Sequence, residues 1–128
     1  MSGSSTGSSQ RQLRVGEQLR HNISETLQRG HFDNLVLLDK ARNVTVTEVR
    51  ASPDLKNATA YIITLGGMDI DTILPALNES AFTFQKEIGR KLSLKFTPRL
   101  RFVLDHSFDE AQKIERILDS LPETKDSR

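Results

Sequence analysis

Two runs rich in β-branched residues, 44–51 and 58–65, are separated by Ser52-Pro53-Asp54-Leu55-Lys56-Asn57. Serine, proline, aspartate and asparagine in so short a connection are turn formers, so the runs are predicted to fold back as an antiparallel hairpin, ended by Gly66-Gly67. In the first run Val44 and Val46 share one parity, and Val49 and Ala51 share the other. Either both faces of the strand are covered, or a bulge sits near Thr47 and Glu48.

Helical patterns flank the hairpin. Val15, Leu19, Ile23 and Leu27 recur every four residues and predict a helix over 12–28, stopped by Gly30. Gly16 lies inside it, at about 1 kcal/mol against alanine. The run Leu35-Val36-Leu37-Leu38 fits either a strand or a buried linker. Ile70, Ile73, Leu74 and Leu77 predict a helix over 69–78, with Asp69 and Asp71 at the positive end of its dipole. Phe84, Ile88 and Leu92 predict a second over 82–92. The two are separate helices, or one helix bent near Ser80. Residues 94–105 alternate and predict a strand that Pro98 interrupts, at an edge or a bulge. Ser107-Phe108-Asp109-Glu110 matches a capping box, and Ala111, Ile114, Ile117 and Leu121 predict a final helix up to Pro122. The order is α-β-β-α-α-β-α, an α+β domain with helices on one face of a small sheet. Residues 1–10 are expected to be a disordered tail, 11–121 one folded domain, and 122–128 a polar tail.

Several chemistries have no foothold. The absence of cysteine excludes thiolate metal sites and cysteine nucleophiles. His21, His31 and His106 lack ligand spacing, and Asp69 and Asp71 lack the other ligands of a calcium loop, so no metal or cofactor is expected. No phosphate loop, dinucleotide fingerprint or nucleophile elbow is present, so no catalytic residue is assigned. No apolar run approaches the roughly 20 residues that span a bilayer. Residues 1–10 lack the apolar core of a secretory signal, and a cytoplasmic protein is expected.

Charge supplies the positive signal. The net charge is +1, but residues 86–101 carry Lys86, Arg90, Lys91, Lys95, Arg99 and Arg101 against Glu87 alone, while 102–128 are acidic. Lys86 and Arg90 share a helix face. Lys95, Arg99 and Arg101 share a strand parity opposite to Leu100 and Phe102, which predicts a row of three cations suited to backbone phosphates. Arg11, Arg14 and Arg20 on the first helix are candidates to extend it. Phe82, Phe84, Phe96 and Phe102 are read as core, which favours binding by shape and phosphate over base stacking.

The segment Val44-Thr-Val-Thr-Glu-Val49-Arg-Ala-Ser52-Pro53-Asp54-Leu55-Lys56-Asn-Ala58-Thr-Ala-Tyr61-Ile62 resembles the hairpin signature of the bacterial ribosome-binding factor A family. The resemblance extends through Leu13-Arg14-Val15, Ala76-Leu77-Asn78-Glu79, Ile88-Gly89-Arg90 and Pro98-Arg99-Leu100-Arg101-Phe102, over about residues 11–121. It implies a type II KH-like fold, α-β-β-α-α-β, with an additional C-terminal helix. It implies a cytoplasmic, non-enzymatic assembly factor that binds the small ribosomal subunit and its 16S rRNA during late maturation and supports growth in the cold. A maturation GTPase is the kind of partner that would release it; a monomer is expected, and neither DNA nor a membrane is an expected partner. The family's Ala-x-Gly bend between the helices is replaced by Ser80-Ala81-Phe82, without glycine. The alternatives are a KH-like binder of other RNAs, an interaction module whose basic face meets an acidic protein, and a small α+β hydrolase with a basic phosphate pocket.

Overall fold

The computed structural model describes residues 9–107. Helix α1 (Gln10–Arg29) starts at a capping box: Ser9 Oγ accepts from the Gln12 N–H at 3.1 Å, and Gln12 Oε1 accepts from the Ser9 N–H at 2.9 Å. Ser9 and Gln10 therefore belong to the helix and its cap, not to the expected tail. Gly30, at φ 70°, stops the helix as expected, its N–H donating to the Thr26 carbonyl.

The run 35–38 is neither a strand nor a linker. It opens a short helix α2 (Leu35–Lys40), because Asn34 Oδ1 accepts from the N–H groups of both Val36 and Leu37 and so caps the first turn. Only Leu37 is fully buried, whereas Leu35 and Leu38 are 79% and 56% exposed.

Strands β1 (Val44–Ala51) and β2 (Asn57–Thr64) form the expected antiparallel hairpin. Its register shifts between Val46 and Glu48, so Thr47 is a bulge. The bulge restores the parity break: Val44, Val46, Val49 and Ala51 are all buried on one face. Helices α3 (Ile70–Glu79) and α4 (Ala81–Lys91) follow, and strand β3 (Arg99–Leu104) pairs in parallel with β2. Pro75 falls inside α3, on its exposed side. The sheet order is β1-β2-β3. The helix expected over 107–121 and the polar tail lie outside the described residues.

The core lies between the sheet and the helices. It takes the α1 stripe, Ile62 of β2, Ile73 and Leu77 of α3, and Phe84 and Ile88 of α4. The Phe84 ring sits 5.4 Å from Phe32 and 4.9 Å from Phe102, edge-on to the latter. Two side-chain amides cover the outer edge of β3. Asn78 donates to the Phe102 carbonyl at 3.0 Å and accepts from the Phe102 N–H at 2.9 Å, as a neighbouring strand would. Gln85 accepts from the Leu100 N–H at 2.9 Å. An edge so occupied offers less to another chain.

Gly16 is the closest approach between helix and sheet. A Cβ there would stand 2.5 Å from the Val49 carbonyl oxygen, which belongs to backbone and cannot turn aside. Gly16→Ala is therefore expected to destabilise: the overpacking cost of about 1–3 kcal/mol exceeds the helix-propensity gain of about 1 kcal/mol. At Gly89 the nearest atom is Thr97 Oγ1, 3.1 Å from the ideal Cβ, on an exposed side chain that can rotate. Gly89→Ala is expected to raise stability by up to about 1 kcal/mol. Urea midpoints of the two variants should move in opposite directions.

Asn78→Ala leaves both backbone groups of Phe102 without their edge partner and is expected to cost about 1–3 kcal/mol in the same assay. Asp105 ties the end of β3 to the bulge, accepting from Ser107 Oγ at 2.6 Å and from Thr47 Oγ1 at 2.5 Å. These two hydroxyls, Ser107 first, hold its carboxyl below the usual carboxylate range. A carboxyl depressed on folding contributes stability above the unfolded value of about 3.9 and loses it as pH falls through the lower folded value. Asp105→Asn should make stability less sensitive to acid below about pH 4, read as Tm against pH.

Candidate nucleic-acid interface

Arg99 and Arg101 are exposed on β3, while Leu100 and Phe102 between and beyond them enter the core. Because Phe102 meets Phe84 of α4, the two arginines point to the opposite face of the sheet, the one that no described helix covers. Lys95 is not in their row. The strand begins only after Pro98, which has no N–H to give β2 and is fully buried; the first bond runs from the Arg99 N–H to the Lys56 carbonyl at 2.8 Å. The expected row of three is a row of two.

Lys95 stands instead in the segment between α4 and β3, with its ammonium 5.5 Å from the centre of the Phe96 ring. Lys56, from the β1–β2 turn, lies 5.5 Å from the same ring. Arg11, one residue into α1, shares a hollow with Lys95 and Phe96. Gln12 Nε2 donates to the Ala51 carbonyl at 2.9 Å, which pins the start of α1 to the end of β1. Arg14 is exposed about one turn further along α1. On the open face Thr59 pairs with Arg50 on one side and Arg101 on the other. The Arg50 guanidinium lies 5.3 Å from the Tyr61 ring centre and is also paired with Glu48 at 2.8 Å. Cations from five chain segments thus meet at one end of the sheet and along its open face.

The helical cations form a separate group. Lys86, Arg90 and Lys91 are exposed on α4, which packs against α1 on the other side of the sheet. Arg90 pairs with Glu87 at 3.0 Å, and Glu87 also lies 3.8 Å from Arg29. Lys91 lines a groove with His21 and Glu25 of α1. Arg20 is paired with Glu17 at 2.9 Å, and that carboxylate raises the arginine further above its ordinary value while its own falls. Lys95, Arg99, Arg101, Arg11, Arg14 and Lys86 make no ion pair with a carboxylate among the described residues, so their fields are the least compensated.

Between the helices, Ser80 takes φ −99° and ψ 13°, a conformation open to any residue, and its N–H donates to the Ala76 carbonyl at 3.0 Å. The bend at Ser80, Ala81 and Phe82 therefore needs no glycine. Two phenylalanines expected in the core are outside it: Phe82, at the bend, is 72% exposed, and Phe96 is 51% exposed. Phe84 and Phe102 are core as expected. Lys56 and Arg50 were not among the candidate residues. They stand in a stretch whose net charge is negative, and only the hairpin turn and the pairing with Thr59 bring them to the other cations.

Among the described residues no three His, Asp or Glu side chains gather to hold a metal ion, and no helix is long and apolar enough to cross a membrane.

A family model described as ribosome-binding factor A matches residues 11–118. A curated ribosome-binding factor A from Methylobacterium radiotolerans is 49% identical over 114 residues, covering 89% of this chain and 79% of that one. One from Rhodopseudomonas palustris is 48% identical over 114 residues, covering 89% and 82%. Among solved structures, a Thermotoga maritima protein described as a ribosome binding factor A aligns with a TM-score of 0.62 at 24% identity, over 77% of this chain and 90% of that one. A Thermus thermophilus ribosome binding factor A, as fitted into a cryo-EM map of a 30S complex of that factor, aligns with a TM-score of 0.57 at 22% identity, over 74% and 96%. The helix–hairpin–helix–helix–strand order is the expected α+β, type II KH-like arrangement, with the short α2 between α1 and the hairpin. By the family match and the curated relatives together, the chain belongs to the ribosome-binding factor A family.

Proposed function

We propose that this protein is a non-enzymatic ribosome-binding factor that binds the free small ribosomal subunit through its 16S rRNA during late maturation, in the cytoplasm and as a monomer. The single observation that carries the choice of surface is the convergence of Arg11, Lys56, Lys95, Arg99 and Arg101 at one end of the sheet. Family membership and the 30S complex described for the Thermus protein support the choice of partner. Phosphate neutralisation by such a cluster releases condensed counterions and supplies affinity without base readout. Arg14 extends the sheet-end cluster along α1, and Lys86, Arg90 and Lys91 form a second arm on the helical side, weaker where Glu87 already engages Arg90.

Docking on one rRNA conformation stabilises it over its competitors by the difference in affinity, which gives an assembly factor its effect without turnover. Such a contribution weighs most where misfolded rRNA is slow to escape, which fits a role in growth in the cold. Release then falls to a partner with its own energy source, such as a maturation GTPase.

Co-sedimentation with separated subunits at two salt concentrations tests this reading. The wild-type chain should pellet with free small subunits and not with large ones. Lys95→Glu/Arg99→Glu/Arg101→Glu should abolish pelleting at physiological salt. Lys86→Glu/Arg90→Glu/Lys91→Glu should weaken it less. Since each phosphate contact contributes about 0.7–0.9 to the slope of log affinity against log salt, losing three contacts should lower that slope by about 2. Binding to neither subunit would reject the reading in favour of an interaction module for an acidic protein. Full binding by the first triple variant would keep the partner and reject the surface.

A further inference from the structure

The hollow beside Phe96 has the chemistry of a nucleotide site. It holds about 240 Å³ between the start of α1, the β1–β2 turn and the segment before β3. Its apolar walls are Pro53, Leu55, Leu94 and the Phe96 ring. A half-exposed phenyl ring that takes no part in the core, beside an open hollow, offers a flat apolar face. The ammonium groups of Lys56 and Lys95 each lie 5.5 Å from its ring centre, so a base that stacks there displaces an ammonium from the ring toward the phosphate; Lys95 also lines the hollow.

The opposite wall is a turn held in one shape. The Leu55 N–H donates to the Ser52 carbonyl at 2.8 Å, and Ser52 Oγ and the Lys56 N–H both donate to Asp54 Oδ1, at 2.7 and 3.0 Å. Leu55 sits at φ 61°, in the left-handed region that a branched apolar residue rarely enters, and its side chain packs against the core. Backbone strain of this kind persists where surrounding structure holds it, and it concentrates at ligand sites.

We propose that this hollow takes one unpaired RNA nucleotide, its base stacked on Phe96 and its phosphate between Arg11 and Lys95; the proposal rests on the rRNA-binding reading above. The charges set the direction of the nucleotide. Asp54 is ionised, its carboxyl held low by the Ser52 hydroxyl and the Lys56 N–H, and so repels phosphate while accepting from N–H groups on the base edge. Asp54 lines the hollow, so its carboxylate lies within the site. Arg11 and Lys95 on the remaining rim receive the phosphate. Purines are preferred, because they offer the larger stacking face and, in both adenine and guanine, a donor group for the carboxylate. Recognition of this kind needs a base already splayed from its helix, as in loops and ends of rRNA.

The test uses the full chain and a single-stranded RNA hexamer of adenines with one 2-aminopurine at its end, set off by an abasic spacer so that the free probe is unstacked, followed by fluorescence quenching and anisotropy. The same proteins are run in the subunit co-sedimentation assay. The wild-type chain is expected to quench the probe, and Phe96→Trp to retain or increase quenching. Phe96→Leu, which keeps apolar bulk without the ring, should abolish quenching and weaken hexamer binding on the order of tenfold, with the salt slope unchanged. A hexamer of uridines with the same probe at one end should bind more weakly than the adenine one. If Phe96→Leu quenches and binds as the wild type does, stacking is overturned while the rRNA reading stands. If the wild-type chain pellets with small subunits yet leaves the hexamer unquenched, the nucleotide site is overturned alone. If it binds neither, both fall together.

Discussion

Helix α1 approaches β1 so closely that one carbon atom does not fit between them. The Val49 carbonyl occupies the space that any side chain at position 16 would need. This contact sets the height of the helix over the hairpin, and other placements follow from it. Val15, Leu19, Ile23 and Leu27 reach the buried face of β1 and β2. The first turn of the helix comes level with the end of β1, where Gln12 closes a hydrogen bond to Ala51. Arg11 is thereby delivered to the turn that carries Asp54 and Lys56. On the other side of the sheet's axis, Asn78 and Gln85 fix α3 and α4 to the edge of β3. Between these two attachments the sheet has one covered face and one that is open among the described residues.

The distribution of charge follows from that geometry. A strand that alternates Arg99, Leu100, Arg101 and Phe102 must show its arginines on the side away from Phe84. The cations of α4 must lie on the helical side. A chain of net charge +1 therefore displays two basic regions instead of one. Carboxylates sit beside cations of both regions, Glu17 with Arg20, Glu87 with Arg90 and Glu48 with Arg50, and leave Lys86, Lys91, Lys95, Arg99 and Arg101 without such partners among the described residues. What distinguishes the sheet end is convergence, since Arg11, Lys56, Lys95, Arg99 and Arg101 gather there from four chain segments.

Much of this was legible in the amino-acid order. The parity switch between Val46 and Val49 left two readings, both faces covered or a bulge near Thr47 and Glu48, and the structure takes the second, slipping by one residue at Thr47 to keep its valines on one buried face. The stripe and glycine stop of α1 gave its extent to within two residues at the start. Other features depend on partners distant in sequence. Residues 94–97 alternate like a strand, but β2 begins at Asn57, so nothing is present for them to pair with. That removes Lys95 from the row and leaves Phe96 outside. Leu35 to Leu38 carry an apolar run too short to reveal its period, and the deciding signal was the asparagine before it. Gly16 looked like a flaw in a helix because its reason lies 33 positions away in Val49. Lys56 and Arg50 belong to an acidic stretch by sequence and to a basic surface by fold.

In the proposed complex the end of the sheet, more than the helical face, meets the rRNA. Ultraviolet cross-linking of the full chain to free small subunits, followed by mapping of the cross-linked peptides, tests it most directly. Adducts are expected in the β1–β2 turn and in the segment leading into β3, around residues 53–57 and 95–101, with few in α4. Adducts confined to residues 82–91, with the turn and β3 unmarked, would contradict it.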